Sequence, residues 1–127
     1  MNWNKERVNI IYASNDGYAC HLAASLVSLM ENNRQIPHLD VYVLSVGMCG
    51  EYQERLKAIA AGYGRQLWTI ELGNFRERFD YDIDTRGFDI SAMARLFAPQ
   101  VLPDAVEKAL YLDCDTIVRG SIRRLYR

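Results

Sequence analysis

No apolar run in this sequence approaches the roughly 18 residues that a membrane span requires. The opening residues, Met1 to Arg7, are polar and have no signal-like hydrophobic segment behind them. Cysteine is scarce: Cys20, Cys49 and Cys114 are widely spaced, odd in number and form no CxxC pair. A disulfide framework and a structural zinc site are both excluded on that pattern. Charge of one sign is also lacking. Fifteen Lys+Arg stand against sixteen Asp+Glu for a formal charge of −1, so a nucleic-acid binder driven by overall basic charge is excluded. The eight glycines never form GxGxxG, and no GxxxxGK[ST] or GxSxG segment occurs. His21 and His38 have no partner at metal-ligand spacing. These absences describe a reduced, cytosolic protein with at most peripheral membrane association.

What is present is an apolar content of 50% in 127 residues. Surface scaling at this size allows roughly two thirds of the unfolded chain's surface to be buried, so a single domain with its own core is possible and disorder is not. Four apolar runs read as strands: Val8 to Ala13, Leu39 to Ser45, Gln66 to Leu72 and Ala109 to Asp113. The first, second and fourth contain near-continuous apolar stretches, which suit strands covered on both faces. Between the first two, Leu22, Leu26, Leu29 and Met30 recur at helical spacing within Gly17 to Asn33. Between the second and third, Tyr52, Leu56, Ile59, Ala60 and Tyr63 do the same, and Gly62 and Gly64 stop that helix. Strands alternating with helices predict an α/β fold with a mostly parallel sheet.

The alternation then breaks. Gly73 to Asp89 has no clean period and carries Asp80, Asp82, Asp84 and Asp89, as a functional loop or a solvated acidic one would. A helix resumes over Ile90 to Phe97 and ends before Pro99. Arg95 lies about 200° around that helix from Met93, away from its apolar face. Pro103 and Asp104 open a short helical turn before the fourth strand.

The strongest chemical signal is Leu110-Tyr111-Leu112-Asp113-Cys114-Asp115-Thr116-Ile117-Val118. An apolar strand runs into two carboxylates spaced i, i+2, then into more apolar chain. Ligands of open α/β sheets bind beyond the carboxyl ends of strands. Two acids there are costly unless a cation pairs with them, and a divalent metal with oxygen ligands is the economical partner. The alternative is a turn with two solvated aspartates. A second signal closes the first strand, Ala13-Ser14-Asn15-Asp16-Gly17-Tyr18. Asn15 or Asp16 could approach a ligand or cap the next helix, and Tyr18 could stack on a base or pack on the sheet.

Taken with Met93-Ala94-Arg95-Leu96-Phe97, these two segments, about 100 residues apart, resemble glycosyltransferase family 8. The resemblance runs in register from residue 8 to the end. It implies a GT-A (Rossmann-like) nucleotide-sugar-binding fold and a UDP-sugar donor bound with Mn²⁺, or Mg²⁺ in its place. By carry-over, Asp113 and Asp115 contact the metal, with Asp113 also near the donor ribose. Asn15 and Tyr18 hold the uracil, Ala13 meets it through backbone, and Asp16 belongs to the same donor-binding segment. Arg95 is the catalytic contact to the donor's sugar and diphosphate, where a guanidinium suits oxyanions. The implied reaction is transfer of a hexose, with retention, to a saccharide or lipopolysaccharide-like acceptor. Two positions depart from the family pattern: Asn15 stands where an acid is frequent, and Gly17 where a polar residue is.

Family members are roughly twice as long, and the resemblance implies a third metal ligand, a histidine, with a nearby lysine in a C-terminal motif. Neither His21 nor His38 matches it. The expectation is therefore that residues 1–127 are the donor-binding portion of one glycosyltransferase domain, inactive alone. Two other readings compete. One is a nucleotide-sugar-binding remnant without turnover. The other is a haloacid-dehalogenase-like phosphatase, against which stand Ile117 at a key motif position and the motif's late place in the chain. If elements that pack near residues 116–127 are missing, that region should expose apolar surface, which a homo-oligomer would cover.

Overall fold

The structure is a computed structural model and describes residues 7–72, 102–104, 106 and 108–126. Strand β1 (Arg7–Ser14) leads through a single 3₁₀ turn (Asp16–Tyr18) into helix α1 (Ala19–Glu31). Strand β2 (His38–Ser45), helix α2 (Gly50–Gly62) and strand β3 (Gln66–Glu71) follow. Strand β4 (Leu110–Tyr111) and a final turn of helix, α3 (Arg123–Tyr126), complete the described elements. The sheet order is β3-β2-β1-β4, and each pairing is parallel. The α/β alternation with a parallel sheet is thus observed. Residues 73–101, which include the acidic segment and the helix expected over Ile90 to Phe97 with Arg95, lie outside the described residues.

Strand β1 is buried at every position after Arg7. Its even-numbered residues Val8, Ile10 and Tyr12 pair in register with Leu39, Val41 and Val43 of β2. Together they meet Leu22, Leu26 and Leu29 of α1 and Leu56 of α2 in one apolar cluster. Each of those three α1 leucines is fully buried and contributes about 1.5–3 kcal/mol. The odd-numbered Ile11 and Ala13 face the other way, into a smaller cluster with Leu44 and Leu72 that Leu102, Ala109 and Tyr111 join. Double coverage explains why β1 reads as a continuous apolar run instead of an alternating one.

Three boundaries differ from the sequence expectation. Gly62 is the last residue of α2 and does not stop it. The stop is Gly64, at φ +71, where a left-handed backbone suits glycine alone. Gly64 N–H donates to Ala61 O and Arg65 N–H to Ala60 O, both at 2.9 Å, the paired bonds of a Schellman ending. Helix α1 ends at Glu31, short of Asn33. Strand β4 is two residues, not five; Leu112 N–H still donates to Ile11 O at 2.9 Å before the chain turns at Asp113. The turn expected at Pro103 is present, with Val106 N–H donating to Pro103 O at 2.9 Å.

None of the three cysteines is in a disulfide, and among the described residues no helix is long and apolar enough to cross a membrane. The expected apolar exposure near the end holds at Ile117 and Leu125, which are 62% and 73% exposed. It fails at Ile122, which is buried.

On the helical side of the sheet, Tyr63 Oη donates to Glu31 Oε1 at 2.6 Å, and Arg34 Nη2 donates to both Glu31 oxygens. The tyrosine bond, then the arginine, hold the Glu31 carboxyl below its ordinary 4.5. A depressed carboxylate contributes stability above its unfolded value, and that contribution is lost as pH falls through the folded one. Tyr63→Phe should therefore move the Glu31 titration up toward 4.5 and flatten the acid side of the stability profile. Side-chain carboxyl NMR titration reads the first and acid-induced melts the second.

Candidate functional site

In this sheet the chain leaves β1 to one side for β2 and β3, and returns to the other side as β4. The gap beyond the carboxyl ends of β1 and β4 is therefore the point where strand order reverses, the preferred ligand site of such sheets. Both sequence segments singled out for chemistry end there. Cys114 Sγ donates to Ala13 O at 2.8 Å, so the residue between the two aspartates is fastened to the next-to-last residue of β1. That bond brings the two segments together across about 100 positions of sequence.

Asp113 and Asp115 are exposed on either side of buried Cys114. Among the described residues, neither carboxylate has a hydrogen bond or ion-pair partner. The backbone beneath them is tightly held: Thr116 N–H donates to Asp113 O at 3.2 Å, and Thr116 Oγ1 donates to the same oxygen at 2.7 Å. No group of three or more His, Cys, Asp or Glu able to hold a metal occurs among the described residues. The donor set nonetheless fits a hard divalent cation. Two exposed carboxylates supply the protein share, as in Mg²⁺-type sites completed by water and substrate phosphate oxygens.

At the β1 end, Asn15 caps the 3₁₀ turn, its Oδ1 accepting from Tyr18 N–H at 3.2 Å. The amide oxygen is thus engaged, and its NH₂ has no partner among the described residues. Asp16 does not cap the helix that follows it. Its Oδ1 accepts from Cys49 N–H at 2.7 Å, at the start of α2, where a carboxylate also suits the helix dipole. This bond ties the loop after β1 to the loop after β2. Tyr18 is half exposed, its ring 5.9 Å from that of His21, so it does not pack on the sheet. Ala13 is buried. Arg95 lies outside the described residues, and the structure does not address its role.

A further group of residues at the site goes unnamed in the sequence reading. After the aspartates, residues 116–122 run as irregular chain along α1, held by polar side chains. Ser28 Oγ accepts from Val118 N–H at 2.8 Å, and Asn32 Nδ2 donates to Val118 O at 2.8 Å. Buried Asn33 donates to Gly120 O at 3.2 Å and accepts from Ile122 N–H at 2.8 Å. Ser25, Ser28 and Asn32 recur at intervals of three and four, the spacing of one helix face. That polar period is present in the sequence beneath the stronger apolar one. Backbone groups that a strand partner would satisfy are satisfied here by side chains.

Comparison with known proteins gives four findings. A family model described as glycosyl transferase family 8 matches residues 9–127. General stress protein A of Bacillus subtilis is 25% identical over 122 residues, 95% of this chain and 42% of that protein. A lipopolysaccharide 1,2-glucosyltransferase of Escherichia coli K12 is 24% identical over 120 residues, 94% of this chain and 35% of that one. Among solved structures, the galactosyltransferase LgtC in complex with donor and acceptor sugar analogues matches at 28% identity and TM-score 0.71. That match covers 93% of this chain and 41% of LgtC. The chain thus spans less than half the length of these relatives, and the α/β fold is that of GT-A glycosyltransferases.

If the Asp16 bond joins the two loops as described, Asp16→Ala should cost about 1 kcal/mol, the usual loss at a helix N-terminus. Asp16→Asn, which keeps an acceptor oxygen, should recover most of it. Denaturant melts of the two variants check this.

Proposed function

The chain belongs to glycosyltransferase family 8, and from that membership we propose that it is the donor-binding part of a metal-dependent retaining glycosyltransferase. In this reading residues 1–127 contribute the nucleotide-sugar half of one catalytic domain. The donor is a UDP-hexose, and the acceptor is a saccharide, lipopolysaccharide-like in the nearest chemical class. The observation that carries it is the meeting of Asp113 and Asp115 with the end of β1 at the switch point, joined by the Cys114–Ala13 bond.

Asp113 and Asp115 hold a divalent cation, Mn²⁺ or Mg²⁺. When bound, that ion supplies charge neutralisation for the diphosphate that leaves the sugar. The exposed Tyr18 ring offers a stacking face to the uracil, and Ala13 lines the base with backbone. Asn15 presents its NH₂, which has no partner among the described residues, as a donor that suits a base carbonyl, while its oxygen holds the 3₁₀ turn. Asp16 acts from behind, fixing the loop that carries Asn15 and Tyr18. Arg95 is assigned the donor's sugar and diphosphate, consistent with guanidinium recognition of oxyanions.

The proposal is tested by calorimetry with UDP-hexoses and Mn²⁺. Binding should require the metal and should fall at least tenfold in the double variant Asp113→Asn, Asp115→Asn. Unchanged binding in that variant would remove the metal assignment. Transfer or donor hydrolysis should be undetectable with the 127-residue chain alone. Turnover by it would show that no further residues are needed for catalysis. Rapid burst release of phosphate from an aryl phosphate would instead favour the phosphatase reading.

A further inference from the structure

The two aspartates sit on a turn whose geometry is set from inside the protein. Thr116 Oγ1 has a single hydrogen and gives it to Asp113 O, 2.7 Å away. In its contact with Ser25 Oγ at 3.4 Å, Thr116 can therefore only accept, so Ser25 donates. Ser25 Oγ also has one hydrogen, so in its 2.8 Å contact with Tyr12 Oη it must accept, and Tyr12 donates. The three hydroxyls form a one-way chain, from Tyr12 through Ser25 and Thr116 to the Asp113 carbonyl. Tyr12 and Ser25 are both fully buried. Burial also pushes the Tyr12 phenol far above its ordinary range, so its hydroxyl keeps its hydrogen. A chain that begins on β1, passes through α1 and ends on the turn ties all three segments of the site to one another.

We propose that Thr116, braced through Ser25 to Tyr12, is a positioning residue that sets the aim of the Asp113–Asp115 pair for its cation. The inference rests on the reading of that pair as metal ligands. Asp113 and Asp115 are exposed and lack protein partners among the described residues, so their side chains are not held in place by neighbours. What fixes them is the backbone turn from 113 to 116, and among the described residues the side chain bonded to the Asp113 carbonyl is that of Thr116. Outer partners that orient metal ligands typically matter by 10- to 100-fold in affinity. The polar contacts of Ser28, Asn32 and Asn33 lie further along the chain and hold the segment down without touching the turn.

The test is Mn²⁺ titration of the 127-residue chain in the presence of UDP, read by loss of the free-ion EPR signal, with thermal melts of every variant. Thr116→Val keeps the shape and removes the hydroxyl; it should weaken Mn²⁺ uptake about tenfold. Ser25→Ala should weaken it less, and Thr116→Ser should restore it, because serine supplies the same hydrogen. Asp113→Asn is the control that abolishes uptake. If Thr116→Val binds Mn²⁺ as the parent does while Asp113→Asn does not, the positioning role is rejected and the metal reading stands. If Thr116→Ser fails to restore uptake, and uptake falls in step with melting temperature across all variants, the role is merely structural and the proposal is overturned. If the parent chain takes up no Mn²⁺, the two carboxylates with UDP do not suffice to hold the cation in these 127 residues, and the positioning proposal for this chain is overturned.

Discussion

Strand β1 has no solvent-facing side: β2 and β4 flank its two edges, and apolar clusters cover its two faces. A strand so enclosed must satisfy its backbone within the protein, chiefly through the ladders of β2 and β4 and at Asn9 N–H through Tyr126 Oη at 3.2 Å. Helices α1 and α2 lie on one face because the crossovers of parallel strands must pass over the sheet. The switch point, and with it the candidate site, arises because β1 is where the chain turns from one direction of sheet growth to the other. Asn9 shows how far this enclosure reaches. This buried polar residue within β1 donates to Lys108 O at 3.1 Å and contacts Tyr126 Oη, tying the last helix to the central strand.

The site is held by polar contacts of unequal kind. Beneath it, hydrogen bonds run between buried groups, where an unmade bond costs about 1–3 kcal/mol. On its rim the aspartates, Asn15, Asp16 and Tyr18 meet solvent. This division lets the rim residues address a ligand while the interior fixes the frame. The chain after Asp115 carries the same logic further. Its backbone is paired by side chains of α1 and of Asn32 and Asn33 just after it, so the segment has a defined course without being a strand.

Much of this was legible from residue pattern. The continuous apolar stretch of β1, the leucine spacing of α1 and the Leu56–Ala60 face of α2 each announced an element, since periodicity reports which side of an element is dry. The pair Asp113 and Asp115 stood out because two acids directly follow an apolar strand, at the carboxyl end where ligands of such sheets bind. Less legible were the ends. Gly62 and Gly64 look alike as letters, and only backbone conformation separates the one inside the helix from the one that ends it. The stub length of β4 depends on where Cys114 is drawn to Ala13, a contact between residues 101 positions apart.

By itself, then, the sequence determined the class of fold, the order of strands and helices, and the acids and small polar residues that mark strand ends. Those features are local, because side-chain periodicity and turn chemistry act over a few residues. Tertiary structure alone decided which partners these residues take. Asp16 reaches Cys49 instead of the helix beside it, and Ser25 meets both Tyr12 and Thr116. Such contacts join groups brought close by the burial of β1, and no local pattern encodes them, because a hydroxyl's partner is whichever donor or acceptor the packed core leaves within reach.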